Sequence, residues 1–125
     1  MSQALGDPAP AGLAQRLVDL VVLLAETPAP TFAESARAEV VARLWSEAGL
    51  EPRRDAAGNV VADVPGGSGP LVLVAAHLDS VFGEGTDVRV RRDGDRLLGP
   101  GVGDDAAGLA LLTAYLQELP ERRPR

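Results

Sequence analysis

Residues 71–80 read Leu71-Val72-Leu73-Val74-Ala75-Ala76-His77-Leu78-Asp79-Ser80, and the fold turns on this stretch. Six apolar residues without polar alternation, entered from the turn-forming run Pro65-Gly66-Gly67-Ser68-Gly69-Pro70, are how a strand buried on both faces looks. The run predicts a central strand over 71–76 whose end delivers His77-Leu78-Asp79. In extended chain, residues i and i+2 point to one side, so His77 and Asp79 can share a site. A carboxylate beside an imidazole fixes the ring tautomer, as a metal-ligating histidine requires. The competing structural reading is a half-buried histidine hydrogen-bonded to its neighbour.

Upstream, Leu13, Leu17, Leu20, Val21 and Leu24 draw one apolar stripe down a helix over about 12–26, ended by Thr27-Pro28-Ala29-Pro30. Thr31 stands three residues before Glu34 in the capping-box arrangement, which predicts a second helix from Phe32. That helix carries Val40, Val41, Leu44 and Trp45, and Gly49 is placed to terminate it. Residues 51–55 and 59–64 flank the turn signal Ala57-Gly58-Asn59 and read as a hairpin. Downstream, Val88 and Val90 alternate with Arg89 and Arg91. Asp93-Gly94 then leads into Arg96-Leu97-Leu98, a half-exposed hairpin. A last helix over about 105–118 shows Leu109, Leu112, Leu116 and Leu119 before Pro120. The expected class is α/β, an N-terminal helical hairpin on a mixed β-sheet.

Composition bounds the function. A chain of 125 residues allows one domain or part of one, and with aromatics at 3% its core must be built from Leu, Val and Ala. Twelve Arg and no Lys against eighteen acidic residues give a net charge of −6. The Arg are scattered, which excludes a nucleic-acid-binding face. The absence of Cys excludes disulfides, thiolate zinc clusters and a Cys nucleophile, and leaves His77, the single histidine, as the scarcest chemical resource. The apolar stretch 17–25 contains Asp19 and falls far short of the ~20 residues that cross a bilayer, so no membrane partner is expected. Residues 1–10 carry Asp7 and no Lys or Arg, unlike a basic targeting segment, and a cytoplasmic protein is the expectation. The tail Glu121-Arg122-Arg123-Pro124-Arg125 supplies no closing element.

The second chemically suggestive stretch is Gly99-Pro100-Gly101-Val102-Gly103-Asp104-Asp105-Ala106-Ala107-Gly108. Two adjacent carboxylates at a helix start read either as a cap with a dipole-favoured acid or as oxygen donors to a cation. Gly101 to Ala106 also match the dinucleotide fingerprint G-x-G-x-x-G/A. However, Asp104 and Asp105 would then sit where a pyrophosphate should meet bare amides, and no strand with an acidic residue follows about twenty positions on. The loop 65–70 lacks a Lys and precedes a strand, which makes it a weak phosphate candidate.

The order of the parts is more specific than any one of them: a buried strand ending in His-x-Asp-Ser, a hairpin, then Gly-Pro-Gly-Val-Gly-Asp-Asp-x-x-Gly opening a helix. In this the chain resembles the N-terminal portion of the co-catalytic zinc hydrolases that include peptidase T, carboxypeptidase G, acetylornithine deacetylase, succinyl-diaminopimelate desuccinylase and aminoacylase. The resemblance implies a partial zinc-exopeptidase-like catalytic domain over residues 1–125, truncated before its remaining strands. It implies two divalent metal ions, zinc or alternatively cobalt or manganese, which activate water against a peptide or N-acyl amino acid substrate. His77 and Asp104 would be metal ligands, with Asp104 bridging the ions. Asp79 would be the catalytic carboxylate behind His77, and Asp105 would support the second ion across a peptide bond that is often cis in this family.

Relatives often carry Lys after the second aspartate, where this chain has Ala106-Ala107. The family's Glu base, its Glu and further acidic ligands and its late His have no counterpart, since only Glu118 and Glu121 follow Asp105 among the glutamates. The chain alone is therefore expected to be inactive. A reading from another class keeps the fold and drops the chemistry: a non-catalytic α/β module whose acidic cleft takes a cation or a partner.

Overall fold

Helices carry the core. The structure, a computed structural model, describes residues 11–122; the N-terminal stretch 1–10 and the last three residues of the tail lie outside it. Helix α1, Leu13–Glu26, buries Leu20 and Leu24 from the predicted stripe, and Ala25 beside them. It packs against α3, Ala107–Arg122, which contributes Leu109, Ala110, Ala114 and Leu116 to the same core. Arg16 on α1 pairs with Glu118 on α3. Helix α2, Ser35–Glu47, brings Val41, Leu44 and Trp45 against this pair, and the Trp45 indole Nε1 donates to Thr113 Oγ1 at 3.1 Å inside the core.

The end of α2 shows how local chemistry sets the chain's course. Gly49 takes φ 86°, the left-handed conformation that costs a side chain-bearing residue most. Its N–H reaches Ser46 O at 3.0 Å and the Leu50 N–H reaches Trp45 O at 3.0 Å, the paired bonds of a Schellman cap. Leu50 is thereby turned into the core beside Trp45.

Two predicted helix ends are corrected. Helix α2 begins at Ser35 instead of Phe32, because Phe32 takes φ 69°, outside right-handed helical geometry; the Thr31 hydroxyl makes no cap and donates to Asp79, 48 residues away. Helix α3 begins at Ala107, after an irregular turn over Val102–Ala106 in which Asp104 and Asp105 leave helical geometry, and it continues past Pro120.

The class is α/β, but the mixed sheet with a buried central strand is not what the described residues form. Strands β1 (Arg53–Arg54) and β2 (Val60–Val61) make one antiparallel ladder, and β3 (Arg91–Asp93) and β4 (Arg96–Leu98) make another. Both were expected as hairpins. Asp55 closes the first turn by accepting from the Ala57 and Asn59 backbone amides at 2.9 Å, and Gly94 closes the second with φ 61°. Residues 71–76 pair with no strand among the described residues, and Leu71 is 98% exposed and Leu73 87%. An apolar run signals that a segment can be buried as a strand; burial itself needs neighbours on both edges, which the described residues do not place there. No helix among them is long and apolar enough to cross a membrane.

Two outcomes follow from these local devices. Gly49→Ala should lower the unfolding free energy by about 1–2 kcal/mol in urea titrations, the cost of a left-handed residue with a Cβ. Ahead of β3, the Arg89 guanidinium and backbone hold the Asp87 carboxyl down to about 2. A carboxyl depressed on folding stabilises above its unfolded value of ~3.9 and loses that contribution as pH falls toward its folded one. NMR titration of Asp87 should show a midpoint near 2 that returns toward the ordinary carboxylate range in Arg89→Gln.

Candidate metal centre

His77 sits between carboxylates. Its Nε2 lies 2.9 Å from Asp104 Oδ1, and its Nδ1 lies 3.1 Å from Asp79 Oδ1 and 3.0 Å from Asp79 O. The His77 backbone N–H donates to Asp105 Oδ2 at 3.2 Å. The stretch 77–79 and the turn Val102–Ala106 thus bring all four sequence-predicted site residues into one hydrogen-bonded cluster. The Asp104-Asp105 peptide is cis, as the resemblance implied.

Each carboxylate is held by its own element. Asp105 folds back over the first turn of α3, and a Cβ built at Gly108 would lie 2.9 Å from Asp105 Cγ. The close approach explains the glycine in Asp-Asp-x-x-Gly. Asp104, on the outside of the same turn, is largely exposed. Asp79 accepts from Thr31 Oγ1 at 2.7 Å through its other oxygen.

Behind the cluster, the segment after α1 runs alongside the end of the 71–80 stretch. Ser80 N–H donates to Ala29 O at 2.8 Å and Thr31 N–H to Ser80 O at 3.2 Å, a short parallel bridge between Pro30 and Ser80. Arg37, 2% exposed, reaches under both. Its Nε and Nη2 donate to Thr27 O at 3.1 and 2.9 Å, and its Nη1 donates to Leu78 O at 2.7 Å.

The electrostatics follow from these contacts. The hydrogen bond to Asp104 pushes the His77 imidazole above its ordinary value, with burial acting against it and the neighbouring Asp105 and Asp79 adding to it. Asp79 is held below the usual carboxylate range, chiefly by the Thr31 hydroxyl and then by His77. Burial pushes the Arg37 guanidinium down, and the Asp79 charge opposes that.

Imidazole nitrogen and carboxylate oxygen are donors that zinc accepts, and two ligands of a tetrahedral zinc ion stand roughly 3.3 Å apart, close to the His77–Asp104 spacing. The pair fits one edge of a metal site. No group of three or more His, Cys, Asp or Glu side chains that could hold a metal ion is present among the described residues. His77 and Asp79 open onto a groove of about 570 Å³ floored by Trp45, Leu109 and Leu112 and rimmed by Phe32.

Thr31, Arg37 and Gly108 were not singled out as site residues in the sequence. Arg37 left a signal: it lies four residues before Val41 on the buried face of α2, and a lone Arg on an apolar stripe must spend its donors internally. Thr31 was assigned to a local cap, and nothing local reveals Asp79 as its acceptor.

A histidine with carboxylates on either side thus stands against an Asp-Asp turn that opens a helix, and sequence comparison gives the class of protein that carries it. The chain belongs to peptidase family M28, whose profile matches residues 59–125, just over half of it. A Pyrococcus furiosus protein with the provisional name LysW-lysine/LysW-ornithine hydrolase is 34% identical over 93 residues, covering 74% of this chain and 27% of that protein. Its Pyrococcus abyssi counterpart is 37% identical over 95 residues, covering 76% and 27%. Carboxypeptidase G2 of a Pseudomonas strain is 34% identical over 65 residues, half of this chain and 16% of that enzyme. The chain thus spans about a quarter of the length of the Pyrococcus relatives. The zinc-hydrolase resemblance read from His77-x-Asp79 and Asp104-Asp105 is borne out at the level of family.

Arg37→Met should destabilise the protein by ~2–4 kcal/mol, since the Thr27 and Leu78 carbonyls lose their charged donor. Arg37→Lys should recover little of this, because one ammonium lacks the planar fork that serves both carbonyls. Urea denaturation, with amide exchange read at Ser80 and Thr31, is the measurement.

Proposed function

We propose that the chain is the N-terminal part of the catalytic domain of a zinc-dependent hydrolase that cleaves amide bonds of peptides or N-acyl amino acids. The approach of His77 Nε2 and Asp104 Oδ1 to 2.9 Å carries this reading. The family match and the hydrolase names of the relatives support it. His77 and Asp104 would hold the metal, with Asp104 shared between two ions. When bound, the ions supply a water-derived nucleophile at neutral pH and polarise the scissile carbonyl.

The chain's own residues do the positioning. Asp79 keeps the His77 ring oriented, with Nε2 turned toward Asp104. Asp105 ties the backbone of His77 to the start of α3. A general base and the remaining ligands would come from the rest of a longer protein. The unpaired apolar run 71–76 supports the same division, since a buried strand needs edges that further strands would supply.

The test is an assay of the 125-residue chain with zinc or cobalt against dipeptides, tripeptides and N-acetyl amino acids, beside calorimetry with zinc. The expected result is no turnover, because removing a base alone costs ~10²- to 10⁴-fold in rate, and metal binding weaker than about micromolar, because one His and one Asp leave an ion short of four ligands. A longer protein containing this chain should turn over and lose activity in His77→Ala and Asp104→Ala. Zinc-dependent turnover by the short chain, abolished in Asp104→Ala, would overturn the division of the site. A longer protein that neither binds zinc nor hydrolyses any of these amides would overturn the metal reading.

A further inference from the structure

We propose that Thr31 is a positioning residue of this site: its hydroxyl fixes the rotation of the Asp79 carboxylate so that Oδ1 faces His77 Nδ1. The inference deepens the metal-centre reading above and rests on it for its consequence, though not for its geometry.

The terminal torsion of an aspartate is a broad two-fold rotor, so a carboxylate with one partner turns easily. Asp79 has a partner on each oxygen, Thr31 Oγ1 at 2.7 Å on Oδ2 and His77 Nδ1 at 3.1 Å on Oδ1. Because the group is planar, fixing one oxygen places the other. The Asp79 side chain is 31% exposed, so water would otherwise compete for both oxygens.

Thr31 is itself immobilised. Its N–H is bound to Ser80 O in the parallel bridge, and Arg37 ties Thr27 and Leu78 on either side of that bridge. Immediately afterwards the chain turns away at Phe32, whose φ of 69° is unusual for a residue with a bulky side chain. The Phe32 N–H is satisfied by Glu34 Oε1 at 2.6 Å, and of the two acceptors within reach of the Thr31 hydroxyl, Ser80 O at 3.4 Å and Asp79 Oδ2 at 2.7 Å, the charged one is the nearer. Strain of this kind persists only where the surroundings impose it. The hydroxyl therefore acts through Asp79 on the ring, and a metal held at Nε2 would feel it as a better-aimed ligand.

Since His77 is the single histidine, nitrogen-detected NMR reads its ring directly in the metal-free chain. Thr31→Val keeps the shape and removes the donor, and Thr31→Ser restores the donor. Expected are unchanged far-UV circular dichroism, displaced ring-nitrogen signals in Thr31→Val, zinc affinity by calorimetry reduced about tenfold or more, and recovery of both in Thr31→Ser. Should the valine variant not fold, Thr31→Ala supplies the same comparison. Ring signals in the folded donor-free variant identical to the parent chain's would overturn the proposal, as would a serine variant no better than valine. Zinc binding by the parent chain too weak for calorimetry agrees with an incomplete ligand set, and the ring signals then decide the role of Thr31 by themselves.

Discussion

The guanidinium of Arg37 is the constraint on which the site end of the molecule depends. Two loops that no sheet holds together meet there, the segment leaving α1 and the stretch approaching Ser80, and one planar cation donates to a carbonyl of each. A buried charge is tolerated only when its donors are satisfied. Arg37 therefore dictates that the Thr27 and Leu78 carbonyls converge, and the bridge between Pro30 and Ser80 forms in the space this defines. Without that bridge Thr31 and Asp79 would not be neighbours, and the carboxylate beside His77 would lose its second partner.

What could be read in the sequence was what neighbouring residues decide. The α1 stripe, the cap at Gly49 and the turn at Asp93-Gly94 depend on contacts within a few positions, and each element stands where those contacts put it. The start of α2 was misplaced because the chain turns at Phe32 with φ 69°, a bend that goes with the distant contacts of Thr31 to Ser80 and Asp79 and not with any neighbour in sequence. The run 71–76 was misread for a similar reason. Its composition describes a buried environment, whereas pairing is a property of other segments.

The candidate site was legible as residue types and order, not as contacts. His77-x-Asp79 and Asp104-Asp105 are 27 residues apart and separated by a hairpin, yet the histidine's two ring nitrogens and its backbone amide all face carboxylate oxygens. Three acidic side chains around one imidazole are costly together unless positive charge is shared among them. The glycine at 108 belongs to the same arrangement, because the carboxylate of Asp105 occupies the place its side chain would take.

The bare run at Leu71, Val72, Leu73 and Val74 also leaves an apolar edge facing solvent. These side chains are uncharged, β-prone and mostly exposed, and their main chain pairs with no described strand. Such a segment is a template for another copy of itself. A strand laid along this edge would cover both the apolar side chains and the free main-chain groups at once.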